Sequence, residues 1–119
     1  MNSVLAAGLI VLCGNAAFAD SSNSGNIRLP GCHNAAAGSP VAGEADAMGR
    51  GICLGEITAL IAMSGFLQRP YAFCVPSGGT AGQATRIVLK AIEGAPERTH
   101  IDFVVLAIDA LARAWPCQK

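Results

Sequence analysis

The sequence predicts an all-α fold: a small, disulfide-stapled helical bundle of about four helices. Apolar residues recur at helical spacing from about residue 50 onward, and no segment alternates apolar and polar residues as a half-buried strand does. Four of the five cysteines follow residue 20, an even number in a short chain, which is typical of a disulfide framework. The 119 residues are the length of one domain.

The first residues have the pattern of an export signal. Residues 4–13 are apolar and uncharged, and Ala17-Phe18-Ala19 is a small-x-small sequence of the kind that signal peptidase cleaves. We therefore expect residues 1–19 to be a signal peptide and the mature protein to lie in the periplasm of a Gram-negative bacterium. A lipid anchor at Cys13 is a weaker interpretation, because Leu12 stands where a small residue is expected.

The charge balance excludes several classes of partner. All eight basic and all eight acidic side chains follow residue 19, so the predicted mature chain is neutral. A neutral chain has no net electrostatic attraction to nucleic acid or to anionic lipid. The glycine-rich stretch before residue 80 has no Lys or Ser/Thr at the spacing that a phosphate-binding loop requires. We expect no cofactor, no nucleic acid and no membrane partner after signal cleavage.

The first half of the remaining chain is predicted to be partly irregular. Residues 20–38 are rich in Ser, Asn and Gly, and we expect a loose segment ahead of a helical domain over residues 39–119. Ser39-Pro40 is typical of a helix start, and the glycines that follow predict a short helix that frays or kinks before Gly51. From about residue 50 to 67 the apolar spacing predicts a mostly buried helix.

Local signals predict two further helices. Thr80-Ala81-Gly82-Gln83 has the T-x-x-Q form of a capping box, and Gly94 stands where a helix ends on a left-handed residue. Thr99 is expected to begin the last helix, an apolar segment that contains the i, i+4 pair Asp109 and Arg113. A helix so apolar is either the central core helix or also part of a subunit contact.

Helix order favours one disulfide pairing among the three that four cysteines allow. The connection between the last two helices is short, so these helices should be antiparallel. The start of one then meets the end of the other, which brings Cys74 to Cys117 and leaves Cys32 to pair with Cys53. The rival pairing joins Cys53 to Cys74.

No group of residues has the pattern of a catalytic or metal site. A zinc site is disfavoured because the chain has no C-x-x-C pair and because His33 and His100 are not spaced as partners of the cysteines. A catalytic pair of Cys74 and His100 is disfavoured because an exported thiol would be oxidised. Glu56, a carboxylate within an apolar helix, is expected at solvent or in a salt bridge. We therefore expect no enzyme activity.

Several motifs together resemble a known family. The stretches ICLGEITALI, FCVP, TAGQ, APERTH and WPC follow one another between about residue 50 and residue 117. In order and spacing they are similar to immunity proteins of the Rap/Tai type, which protect against type VI secretion amidase effectors. That family usually has an aromatic residue where this chain has Glu56. The resemblance implies a helical periplasmic protein, often a homodimer, that binds a peptidoglycan amidase and blocks its active site.

The residues that would contact such a partner are expected among the exposed polar groups of the last two helices and their connections: Ser77, Arg86, Lys90, Glu97 and Arg98. The alternative function is a stand-alone periplasmic helical module, a chaperone or an envelope-stress factor without a toxin partner. An amidase encoded by the neighbouring gene would favour the immunity function.

Overall fold

The computed structural model describes residues 23–118. These residues form four α-helices, and within this part of the chain there is no strand. The predicted all-α bundle is therefore confirmed, while the predicted signal peptide over residues 1–19 lies outside the described residues. In chain order the helices are α1 (Gly25–Ala37), α2 (Glu44–Met63), α3 (Ala81–Glu93) and α4 (Phe103–Ala114), with 3₁₀ turns at Ser64–Phe66 and Pro96–Arg98.

Helix α1 occupies most of the described part of the segment predicted to be loose, which was residues 20–38. Its first N–H groups are satisfied by another part of the chain: those of Gly25 and Asn26 donate to carbonyls of the connection before α4, at 3.0 and 2.9 Å. Pro30 lies inside the helix and Gly31 follows it, and both residue types disfavour a helix interior. The prediction was wrong because tertiary contacts, rather than local propensity, stabilise α1.

Helix α2 joins the two helices that were predicted before and after about residue 50. It begins at Glu44 instead of Ser39-Pro40 and continues through Gly49 and Gly51, so the predicted kink before Gly51 is wrong. Glu44 and Asp46 occupy its first turn, where negative charge interacts favourably with the positive end of the helix dipole.

One face of α2 is buried and the other is open. The buried residues are Cys53, Ile57 and Leu60, so the prediction of a mostly buried helix is also wrong. By length and apolar composition alone, Glu44–Phe66 would suffice to cross a membrane, a criterion that core helices of soluble proteins also meet.

The start of α3 agrees with the prediction in part, and its end differs. The Thr80 hydroxyl accepts a hydrogen bond from the Gln83 N–H at 3.1 Å, which is half of the capping box. The return bond from the Gln83 side chain is not formed within residues 23–118. Gly94 has φ −73°, a right-handed conformation, so the predicted left-handed helix end is wrong.

Helix α4 begins later than predicted. Thr99 precedes it, and Asp102 is the N-cap residue, whose carboxylate accepts a hydrogen bond from the Val104 N–H at 2.9 Å. The predicted segment started too early because a 3₁₀ turn and a bend occupy residues 96–101.

The hydrophobic core lies where the four helices meet. The buried face of α2, the inner faces of α3 and α4 and the middle of α1 all contribute to one cluster. Trp115, just after α4, is 9% exposed and belongs to this cluster. The largest fully buried apolar side chains are Phe73, Phe103, Ile57, Leu111 and Val88.

Two disulfides close the bundle, in the pairing that helix order favoured. Cys32 is bonded to Cys53, and Cys74 is bonded to Cys117. The Cys74 N–H also donates to the Trp115 carbonyl at 2.8 Å, so the start of the α3 region is joined to the end of α4 twice. In the chain-entropy model, the Cys74–Cys117 disulfide contributes about 4 kcal/mol to the free energy of unfolding, and the Cys32–Cys53 disulfide, which closes a shorter loop, contributes about 3 kcal/mol.

Helices α1 and α2 approach most closely at two glycines. A Cβ atom on Gly31 would lie 2.8 Å from the Gly49 Cα and closer still to the Gly49 carbonyl. Real Cβ atoms do not approach backbone atoms so closely, so only glycine fits at position 31 without moving a helix.

We therefore expect Gly31→Ala to destabilise the protein by about 1–3 kcal/mol, because the added methyl group forces α1 away from α2. The matched control is Gly82→Ala. A Cβ atom on Gly82, within α3, would make only ordinary contacts at 3.9 Å, and the change should stabilise α3 by up to about 1 kcal/mol. Urea unfolding of the oxidised proteins measures both effects. A Gly31→Ala variant as stable as the wild type would contradict the close approach.

Candidate functional site

A groove of about 570 Å³ lies between α3, the connection that follows it and the last turns of α4. Small and apolar residues form its floor, and three cationic side chains stand along its walls. This combination is suited to binding a partner that presents both an apolar group and negative charge. The floor consists of Ile87, Ala91, Gly94, Ala95, Ala110 and Ala114, and the walls carry Lys90, Arg98 and Arg113.

One carboxylate holds two of the three cations. The Asp109 Oδ2 atom accepts hydrogen bonds from Arg98 Nη1 at 2.8 Å and from Arg113 Nη2 at 2.9 Å. The pair of Asp109 and Arg113 predicted from i, i+4 spacing is thereby confirmed. Within residues 23–118, no carboxylate lies within 4.0 Å of the Lys90 ammonium group. Three positive charges against one negative charge leave the groove cationic.

The structure brings together only some of the residues predicted to contact a partner. Lys90 and Arg98 both line the groove. Arg86 is exposed on α3, one turn before Lys90 and outside the lining. Glu97 is exposed in the 3₁₀ turn beside Arg98, and Ser77 is exposed before the start of α3.

Sequence reasoning missed Arg113 and the floor of the groove. Arg113 was explained by its local ion pair with Asp109, and nothing in the sequence placed it near Lys90. The alanines looked like ordinary helix positions, because small residues define a groove only once two helices are known to lie side by side. No sequence signal could have identified the floor.

A second exposed surface lies on α2 and is apolar. We call it the open face of α2 and define it by Met48, Gly51, Gly55, Met63 and Phe66. The side chains of Met48, Met63 and Phe66 are 66%, 53% and 84% exposed, and no atom lies within 4 Å of a Cβ position built on either glycine. Exposed apolar patches of this kind commonly mark interaction surfaces.

A polar cluster joins α1, α2 and the N-cap of α4. Arg28 Nε donates a hydrogen bond to Asn23 Oδ1 at 2.6 Å and lies 3.4 Å from Glu56 Oε2. Asn23 Nδ2 in turn lies 3.4 Å from Asp102 Oδ2. Glu56 is thus in the salt bridge that was one of its two expected environments. The cluster connects helices and lies outside the lining of the groove, which indicates a structural role.

Burial raises the pKa of Glu56 above its ordinary value of 4.5, although the Arg28 charge acts in the opposite direction. The Glu56 Oε2 atom is buried without a hydrogen bond of good geometry among the described residues, although the nearby Asn23 and Arg28 side chains act to lower this pKa. The Asp102 carboxylate adds a smaller contribution that also raises this pKa.

The described residues do not form a metal site. Within residues 23–118, no group of three or more His, Cys, Asp or Glu side chains is placed to hold an ion. His33 lies 2.7 Å from Glu93, joining α1 to α3 at the surface, and the four cysteines in this range are in disulfides. The arrangement of the described residues is suited to binding a partner.

The family described as Rap1a immunity proteins matches residues 12–117. No curated protein matches the chain, and neither does any solved structure.

The raised pKa of Glu56 predicts a pH-dependent stability. A neutral Glu56 is favoured by the fold, so its stabilising contribution is complete below pH 4.5 and is lost as the pH rises through the raised pKa. Glu56→Gln stays neutral and should therefore be more stable than the wild type near pH 7. The difference should shrink as the pH falls to about 4, where both side chains are neutral.

Urea unfolding at a series of pH values measures this difference, with Glu97→Gln as an exposed control. A Glu56→Gln variant that is less stable than the wild type near pH 7 would show that the ion pair with Arg28 outweighs the burial of the carboxylate.

Proposed function

We propose, from the premise that the chain belongs to the Rap1a immunity protein family, that its partner is a peptidoglycan amidase effector of type VI secretion. In this proposal it binds the amidase in the periplasm and occludes the active site. Family membership itself indicates an immunity protein against a toxin effector. The amidase is supported by the resemblance of motifs such as FCVP and WPC to amidase-specific immunity proteins.

The compartment is supported by the chemistry of the chain. Its two disulfides are of a kind that persists in oxidising compartments such as the periplasm. The apolar run and the Ala17-Phe18-Ala19 sequence are consistent with export through a cleaved signal peptide.

The groove is the best candidate for the toxin contact. It brings Lys90 and Arg98 together on a surface whose backbone is fixed by the antiparallel α3–α4 pair and by Cys74–Cys117. A rigid surface loses little conformational entropy on association, which favours tight inhibition. The activity is binding rather than catalysis, and Arg86, Glu97 and Ser77 remain predicted contacts outside the groove.

Co-expression with the cognate amidase should protect cells from lysis, and the purified protein should inhibit the enzyme at a one-to-one ratio without turning over any substrate itself. Cell lysis assays and titration of amidase activity measure the two effects. The matched control is the same chain without residues 1–19, which would stay in the cytoplasm and should not protect.

Protection by the truncated chain would contradict the periplasmic site of action. Failure to bind any cell-wall hydrolase encoded in the source genome would favour the alternative, a stand-alone periplasmic helical module such as a chaperone or an envelope-stress factor.

We also propose that the chain forms a homodimer through the open face of α2. In an antiparallel pairing centred on Gly55, Met48 of one copy would face Ala62 of the other, and Met63 would face Ala47. Large side chains would thus meet small ones, and the open glycines would allow the two backbones to approach closely. Such a face is complementary to itself, as a two-fold contact requires.

The double variant Met63→Glu, Phe66→Glu should be a monomer, because charges would be buried in the contact without partners. Sedimentation velocity of the oxidised protein over a range of concentrations measures the assembly state. Ile27→Glu is the control, since Ile27 is 52% exposed on α1, away from the open face. A wild-type chain that stays monomeric at the highest concentration would exclude the homodimer.

A further inference from the structure

We propose that the groove between α3 and α4 binds an extended acidic segment of the partner, in which an apolar side chain is flanked by carboxylates. This inference rests on the proposed function, because the segment belongs to the toxin. It goes further by stating the chemistry of the segment that the groove recognises.

The first argument is the concentration of positive charge. Arg86, Lys90, Arg98 and Arg113 are four of the eight basic side chains of a neutral chain, and three of the four line the groove. Among residues 23–118, Asp109 is the one carboxylate that forms a salt bridge with these cations. The nearest acids do not neutralise the rest: His33 holds Glu93 on the side of α3 that faces α1, and Glu97 lies outside the lining.

The second argument is donor capacity. Asp109 Oδ2 uses one N–H of Arg98 and one of Arg113, at 2.8 and 2.9 Å. Each guanidinium has five N–H donors in a planar fork, so each retains donors that can bind a further carboxylate. The ammonium of Lys90, on the opposite wall, supplies three donors. The groove can therefore bind two carboxylates, one at each wall.

The third argument is the shape of the floor. Along α3, from Ile87 to Gly94, the groove is about 10 Å long. An extended chain spans this length in about three residues. The floor between the cations is made of alanine methyl groups and the Ile87 side chain. A lone anion such as phosphate would leave this apolar floor exposed. An acidic–apolar–acidic segment fills the floor and meets the cations with its two ends.

The decisive measurement is the affinity of the toxin for the full mature chain and its variants, by calorimetry. Lys90→Glu should weaken binding at least about tenfold, because a reversed charge repels the segment. Arg69→Glu carries the same change of charge at an exposed position outside the groove lining, and binding should stay within about threefold of the wild type. Raising the salt concentration should weaken wild-type binding more than it weakens binding by Lys90→Glu.

A second variant tests the floor without changing charge. Ala114→Trp places a large side chain in the groove from an exposed position, and it should weaken toxin binding at least about tenfold by excluding the apolar side chain. Ala42→Trp makes the same change at an exposed position of the connection between α1 and α2, outside the groove lining and the open face of α2, and should not affect the toxin contact. Unfolding curves of all four variants confirm that each is folded.

A short peptide tests the chemistry directly. An acetylated and amidated Glu-Leu-Glu-Ala peptide should shift the amide resonances of Lys90, Ala91 and Ala110 in isotope-labelled protein, and Gln-Leu-Gln-Ala should not. Equal shifts with both peptides would contradict recognition of carboxylates, and no shifts with either would contradict binding in the groove.

The outcomes separate this inference from the function on which it rests. If the toxin binds Lys90→Glu and Ala114→Trp as tightly as the wild type, the groove is not the contact, and the immunity function stands. If the wild-type chain binds no toxin, the proposed function and this inference both fail.

Discussion

The approach of α1 to α2 at Gly31 and Gly49 is the contact on which the rest of the bundle depends. No side chain separates the two backbones there, so the helices are close enough for Cys32, the next residue of α1, to bond Cys53 one turn further along α2. Once α1 is fixed, its first turn can donate hydrogen bonds to the connection before α4. The glycine contact thus positions the start of α4 as well as the two helices that make it.

The same glycines explain which parts of the fold the sequence could predict. Helices α3 and α4 were predicted from local signals, such as the Thr80 cap and the apolar spacing after it. The disulfide pairing followed from their antiparallel order. Helix α1 was not predicted, and the first turns of α2 were predicted only as a short helix that frays or kinks, because Pro30, Gly31 and Gly49 indicate irregular structure by propensity. These residues lie in helices because α1 and α2 pack closely against each other, and no local sequence pattern predicts such packing.

The candidate site could be predicted only as a set of exposed charges. Lys90 and Arg98 were identified because polar groups at the surface are where a partner binds, but their common location depends on the path of the connection after α3. The i, i+4 pair with Asp109 was enough to explain Arg113, so its position on the same groove was not predicted. A sequence indicates which charged residues are exposed, but the shape of the surface between them depends on the tertiary structure.

The groove and the open face of α2 lie on different elements, and this separation bears on how a toxin complex would assemble. The groove is built from α3, α4 and their connection, whereas the open face is the side of α2 turned away from the buried Cys53, Ile57 and Leu60. Pairing through α2 would therefore leave the groove of each copy accessible. Two copies that paired in this way would present two equivalent grooves by symmetry, so a complex with two toxin molecules is the assembly that both proposals together require.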